Sequence, residues 1–262
     1  MPHYDFRTPR VYLDTPLAGG REVAFDRGQA NYLQNVLRLK HGDELLLFNG
    51  REGEWQASLS AAGKRALTAA IGERMREQPQ PTDLNFLFAP LKHARLDYLV
   101  QKAVELGASR LQPVITRHTQ VARVNLDRMR ANAIEAAQQC GVLSLPEVAE
   151  PVQFKTIVGG ADAGRLLVFC DEDADVKDPV AALAAVRPQL QALLPAEVTR
   201  AHLPLAVLIG PEGGFDETER TALLKRPNVV RIALGPRILR ADTAAVAALA
   251  LVQAVLGDWR NK

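Results

Sequence analysis

Two short loops carry the residues best suited to chemistry: Ile209-Gly210-Pro211-Glu212-Gly213-Gly214-Phe215 and Leu234-Gly235-Pro236-Arg237-Ile238-Leu239-Arg240. In the first, glycine lets backbone amides approach a ligand with no Cβ in the way, and Pro211 stiffens the turn. A helix starting just after it adds free N–H groups. No G-x-x-x-x-G-K-[ST] is present, Glu212 would repel an anion, and no G-x-G-x-x-G occurs in the chain, so P-loop and dinucleotide fingerprints are absent. Alone, this loop reads better as a tight turn and nothing more. In the second loop Arg237 and Arg240 flank Ile238-Leu239, just before the apolar run from Thr243 to Val252. A helix apolar almost all round is buried, against its own domain or a second subunit. Arginines held at its start must find acceptors, from protein or ligand.

Both loops follow apolar runs that read as strands, and ligands of α/β proteins bind at the carboxyl ends of strands. From residue 84 strand and helix patterns alternate. Strands are predicted over 84–89, 111–115, 166–170, 205–209 and 229–234. Helices are predicted after Leu96, from a cap at Asn125 to Cys140, over about 178–194, from Asp216 to about Lys225, and over 243–256. Asp216 with Glu219 forms a capping-box pattern. The class is α/β with a largely parallel sheet. Residues 1–74 instead show short β-prone runs (10–13, 45–48, 54–59) separated by Gly19-Gly20, Gly42-Asp43 and Asn49-Gly50, with a short helix over 29–37. This predicts a small β-barrel. Polar residues 75–83, with Pro79 and Pro81, form the linker between domains 1–74 and 84–262.

The chain has 262 residues, 47% hydrophobic and 24% charged, a composition that suits two folded domains and excludes extensive disorder. No window is apolar enough to span a bilayer, and residues 1–7 lack a secretory h-region, so a cytoplasmic protein with no membrane partner is expected. Cys140 and Cys170 form no C-x-x-C pair and the histidines show no metal-ligand spacing, so neither disulfide nor metal is expected. The net charge of +2 is mild. Its distribution is more telling: five arginines with His118 against one acid over 110–130, and five basic residues with no acid over 225–240. Two such clusters point toward a polyanion.

LIGPEGGF followed later by LGPRILRADTA resembles the paired C-terminal signature of the SPOUT methyltransferases, and most of all the 16S rRNA (uracil-N3)-methyltransferase family. Tyr32 to Asp43 resembles that family's opening motif in its PUA-like barrel. Gln101 to Gly107 and Glu135 to Gly141 resemble its internal helices. The match spans nearly the whole chain in order. Two departures occur: Val142-Leu143 stand where the family usually has an arginine, and the second signature ends Ala241-Asp242-Thr243-Ala244.

The resemblance implies a trefoil-knotted SPOUT domain behind a PUA-like barrel, acting as a homodimer on 16S rRNA of the small ribosomal subunit. S-adenosylmethionine (SAM) would lie against Leu208, Gly210, Pro211, Glu212, Gly213, Leu234, Gly235, Ile238, Leu239 and Thr243. Arg237 and Arg240 would stabilise the uracil anion or grip phosphate, and Glu212 and Asp242 are secondary candidates for the base or for orienting the arginines. Arg7, Arg10, Arg38, Arg117 and Arg123 would track the RNA backbone. A non-catalytic RNA-binding or ribosome-assembly protein on the same fold, and a SPOUT enzyme acting on tRNA or a ribose 2′-hydroxyl, remain alternatives.

Overall fold

The computed structural model describes residues 7–62, 66–121, 123–159, 164–175, 178–192 and 203–260. It forms two compact units, one of residues 1–80 with 137–145 and one of 81–136 with 146–262.

In the first unit β1 (Arg10–Tyr12), β2 (Glu22–Ala24), β3 (Glu44–Phe48), β4 (Glu54–Ala62) and β5 (Ala66–Arg76) make a sheet in the order β1-β3-β4-β5-β2. Only β1 and β3 run parallel. Side chains alternate along a strand, so Leu45 and Leu47 of β3 and Ala57 and Leu59 of β4 meet Val11, Leu33, Ala69 and Ile71 in one core. The strand β5 went unrecognised in the sequence, where alanines and charges give little β signal. Pairing along β4 from Glu54↔Arg76 to Ala62↔Ala66 supplies the order instead. The strand also runs to Arg76, into the segment expected to be linker.

The helix expected over 29–37 is two pieces. Asp26 caps α1 (Arg27–Asn31) in a capping box with Gln29. A π-helical turn over Tyr32–Val36 follows, with Leu33 its buried residue, and the chain leaves through Arg38 at φ 58°. Arg10 requires a correction. Expected on RNA, it is buried in β1 with its Nε on Glu54, so it offers no charge to solvent.

The second unit is built from β6 (Leu84–Phe88), α2 (His93–Glu105), β7 (Arg110–Ile115), α3 (Leu126–Cys140, whose last residues count with the first unit), β8 (Glu147–Val148), β9 (Val152–Gln153), α4 (Phe154–Val158), β10 (Leu166–Cys170), α5 (Pro179–Ala192), β11 (Leu205–Ile209), α6 (Glu217–Leu224), β12 (Val229–Ile232) and α7 (Ala241–Val255). The sheet is parallel throughout, in the order β12-β10-β11-β6-β7-β8, with β9 also on β7. Residues 193 and 194 of the expected helix over 178–194 lie outside the described residues.

Strand alternation divides the core. Leu87, Leu167, Phe169, Ala206 and Leu208 face one side, where Phe215, Leu223 and the apolar residues of α4 pack. Their neighbours Phe86, Phe88, Val168 and Val207 are buried on the opposite face. Each such enclosed side chain contributes about 1.5–3 kcal/mol. The helix α7 packs on α2, α5 and β11, and Gln253 pins it by donating to the Leu106 carbonyl at 2.7 Å.

Candidate active site

The strand order sets β10 between β12 and β11, so the loops leaving all three open at the same edge of the sheet. They enclose a cleft of about 1070 Å³, ample for a ligand of nucleoside size. Its walls are residues 170–175 after β10 (without Asp173), 210–215 after β11 and 233–241 after β12.

The glycine loop is anchored from below by Phe215, whose ring meets Phe169 edge-on at 5.0 Å in the core. A Cβ at Gly210 would stand 2.6 Å from that ring, so glycine is required for the loop to close over its own anchor. Asp216 then caps α6 by accepting from the Glu219 N–H at 2.7 Å, and Glu219 returns the bond. That backbone hydrogen bond, with Arg117 nearby, holds the Asp216 carboxyl below its ordinary pKa. The loop is also held from the side by the turn after β7. The Arg117 N–H donates to Glu219 at 2.9 Å, and His118 Nδ1 lies 3.1 and 3.2 Å from the Gly213 and Gly214 carbonyls. Carbonyls only accept, so Nδ1 carries the proton.

The second loop is open backbone. Gly235 sits at φ 104°, a conformation that excludes side chains. Among the described residues, the N–H groups of Gly235, Arg237, Ile238 and Leu239 have no acceptor within the chain. Arg237 and Arg240 are exposed and, among the described residues, form no ion pair. Ile238 is 91% exposed, the most exposed large apolar side chain of the described chain. Donors and an apolar side chain are thus both presented to whatever fills the cleft.

The third wall was missed by the sequence reading. Cys170 ends β10, and burial, helped by the Asp171 charge, pushes its thiol pKa up to about 12. The Asp171 carboxylate is enclosed between Arg220 and Arg231. Burial works against the Arg220 cation, yet Asp171, Asp173 and Glu172 raise its pKa above the ordinary arginine value. The carboxyl-end rule that singled out the other two loops applies equally here, but Asp171-Glu172-Asp173 contains no glycine to draw attention.

Of the residues expected at the site, Gly210, Pro211, Glu212, Gly213, Leu234, Gly235, Arg237, Ile238, Leu239 and Arg240 line the cleft together. Leu208 is in the core beneath it, and Thr243 is exposed on α7 outside the lining. Glu212 lies 3.5 Å from Arg95, while Asp242 accepts from the Thr243 N–H at 2.9 Å. Of the arginines expected on RNA, Arg7, Arg38, Arg117 and Arg123 are exposed, with Arg117 3.3 Å from Asp216.

The cleft suits SAM in chemical terms. Unengaged N–H groups can read an adenine edge or meet a carboxylate, and the acidic wall of Glu172 and Asp175 can face a cation.

A parallel α/β sheet with such a cleft, in a chain that also carries a small β unit, defines a class, and the comparisons give the same class. Residues 78–253 match the RNA methyltransferase domain and residues 25–72 the RNA methyltransferase PUA domain. A ribosomal RNA small subunit methyltransferase E from Rickettsia conorii is 30% identical over 93% of this chain and 94% of its own. A Legionella pneumophila methyltransferase solved with bound SAM superposes with TM-score 0.79 at 28% identity, covering 96% of this chain and 99% of the other. A ribosomal RNA small subunit methyltransferase E from Neisseria gonorrhoeae, bound to SAM, gives TM-score 0.80 at 25% identity, covering 97% and 100%. The chain belongs to the ribosomal RNA small subunit methyltransferase E family, the SPOUT-type 16S rRNA methyltransferases. Among the described residues no helix is long and apolar enough to cross a membrane.

Proposed function

We propose that this protein methylates N3 of one uridine in the decoding region of 16S rRNA, using SAM, as a cytoplasmic homodimer. The observation that carries the reading is the loop after β12, where Arg237 and Arg240 stand exposed around Ile238 at the mouth of a backbone-lined cleft. SAM supplies an activated methyl group, so what remains for the protein is alignment and handling of charge. Uridine N3 carries a proton at neutral pH. Its loss leaves an anionic base that Arg237 and Arg240 can stabilise, and Glu212, one of the carboxylates lining the cleft, is the group assigned to take that proton. N3 lies on the pairing edge, so the target base enters unpaired or flipped. The homodimer is supported by α7, whose apolar Ala244, Val246, Ala247, Ala250 and Leu251 stay partly exposed within the chain.

The test is mass spectrometry of nucleosides from 16S rRNA of a strain lacking the gene. Loss of 3-methyluridine, restored by the intact gene but not by an Arg237→Ala copy, is the expected result. Unchanged 3-methyluridine would overturn the assignment and direct the same assay to tRNA.

A further inference from the structure

The three walls of the cleft come from separate parts of the chain, and one carboxylate joins them. Asp171 follows β10 directly and its side chain is fully enclosed. Its Oδ2 accepts from Arg231 Nη2 at 2.7 Å and Nε at 2.9 Å, and from Arg220 Nε at 3.2 Å. Arg231 lies in β12, just before the open loop, and Arg220 lies in α6, just after the glycine loop. From Arg220 a further nitrogen reaches Asp173 at 2.8 Å and Glu172 at 3.2 Å, beside the cleft.

Sheet pairing alone does not hold this arrangement. The β10–β12 register ends at Cys170↔Ile232, with the Asp171 N–H on the Ile232 carbonyl at 3.0 Å. Beyond that point both chains are free of the sheet, and α6 is never part of it. Enclosing a carboxylate is costly unless cations meet it, and Asp171 is met by both arginines. Each arginine brings one wall of the cleft with it.

We propose that Asp171 is a positioning residue for the methyl donor. Through Arg220 and Arg231 it sets the spacing between the 210–216 and 233–240 loops at which their backbones grip SAM. This rests on the methyltransferase reading above.

The test compares the full-length wild type with Asp171→Asn, Arg231→Gln, Arg231→Lys and the Asp171→Asn/Arg231→Gln double variant. SAM binding is measured by calorimetry, and KM for SAM, KM for 16S rRNA and kcat by methyl transfer. Misplacement of gripping loops by an ångström costs on the order of 100-fold. Asp171→Asn and Arg231→Gln are expected to lower kcat/KM for SAM toward that extent and to raise the SAM dissociation constant and KM, with KM for rRNA unchanged. Arg231→Lys, which keeps the charge, retains most of the affinity, and the double variant is no worse than the worse single one. If Asp171→Asn does not fold, Arg231→Gln decides, because it leaves Asp171 paired with Arg220. A folded variant that bound SAM like the wild type would overturn the proposal. So would losses confined to the folded fraction of the protein, with both KM values intact. A wild-type chain that bound no SAM would overturn the functional reading and this one with it.

Discussion

Arg10 and Glu54 meet at 2.5 Å with both side chains enclosed, and Arg76 donates to the same carboxylate at 2.7 Å. Arg76 also reaches the Gly141 carbonyl, so one charge cluster ties β1, β4, β5 and the turn after α3 within the first unit. Removing one member of a buried pair strands the others, at a cost of about 3–5 kcal/mol. Glu54→Gln and Arg10→Ala are therefore expected to lower the stability of this unit by that order. Urea unfolding followed through Trp55 fluorescence measures it. A folded, equally stable Arg10→Ala protein with weakened RNA binding would return Arg10 to the RNA surface.

The same cluster sets an acid limit. Burial alone would raise the Glu54 pKa, but the hydrogen bonds from Arg76 and Arg10 outweigh it and hold the carboxyl below its usual range. A carboxyl depressed in the folded state stabilises fully above its unfolded pKa of about 4.3. That stabilisation is lost as pH falls through the lower folded value. Urea midpoints should thus decline below about pH 4–5 in the wild type, and decline less steeply in Glu54→Gln. Parallel curves for the two proteins would remove Glu54 as the titrating group.

Gly210 offers a test of the cleft's construction. A methyl group there would stand 2.6 Å from the Phe215 ring, and that ring is locked among Phe169 and Phe154. Overpacking of this kind costs about 1–3 kcal/mol. Gly210→Ala is expected to lower the melting temperature and to weaken SAM binding together. Phe215→Leu in the Gly210→Ala background, which shortens the obstructing side chain, is expected to recover part of both. No recovery would mean that the glycine serves the ligand and not its own anchor.

Much of this site was legible in the sequence because strand, glycine and arginine follow one another within a few residues. Local order of that kind predicted the 210–215 and 234–240 loops and the Asp216–Glu219 capping box, all present in the structure. What was not legible depends on long-range pairing. Asp171 draws its meaning from Arg220 and Arg231, 49 and 60 residues away. His118 was read as part of a basic run, yet its ring holds the glycine loop 95 residues on. Arg10 was read as an RNA contact because no pattern ties it to Glu54, 44 residues distant. The strand β5 was missed for the same reason: its order comes from β4, not from its own residues.

Arg237 and Arg240 carry the catalytic prediction. If they stabilise charge that develops on the uracil, their loss should slow transfer more than it weakens donor binding. Removing one such preorganised donor typically costs about 100- to 1000-fold in kcat. Arg237→Ala and Arg240→Ala are each expected to fall in that range, with SAM affinity measured by calorimetry nearly unchanged. A loss that appeared only in SAM affinity would make them cofactor ligands instead.

The two cysteines should behave differently. Neither is in a disulfide; Cys140 is exposed, whereas Cys170 is buried with its pKa pushed up to about 12. The thiolate is the reactive form, so Cys170 stays protonated and inert near neutrality. Titration with a thiol reagent at pH 8 should find one fast group per chain, lost in Cys140→Ser, and a second only on unfolding. Fast labelling of Cys170 in the folded protein would show the floor of the cleft to be open.

RNA binding should reveal which arginines touch phosphate. Each phosphate contact releases a counterion, so affinity falls with salt in proportion to the number of contacts. Removing one contact lowers the slope of log K against log salt by about 1, with little change in sequence preference. Arg38 and Arg123 are exposed and, among the described residues, form no ion pair, so Arg38→Ala and Arg123→Ala should each show that full effect. Arg117 is already shared with Asp216 at 3.3 Å, so part of its charge is answered within the chain and Arg117→Ala should change the slope less. Arg10→Ala should leave it unchanged wherever the protein stays folded, because a side chain paired with Glu54 inside the sheet has no counterion to release. A slope equally insensitive to Arg38 and Arg123 would move the RNA path to other surfaces of the two units.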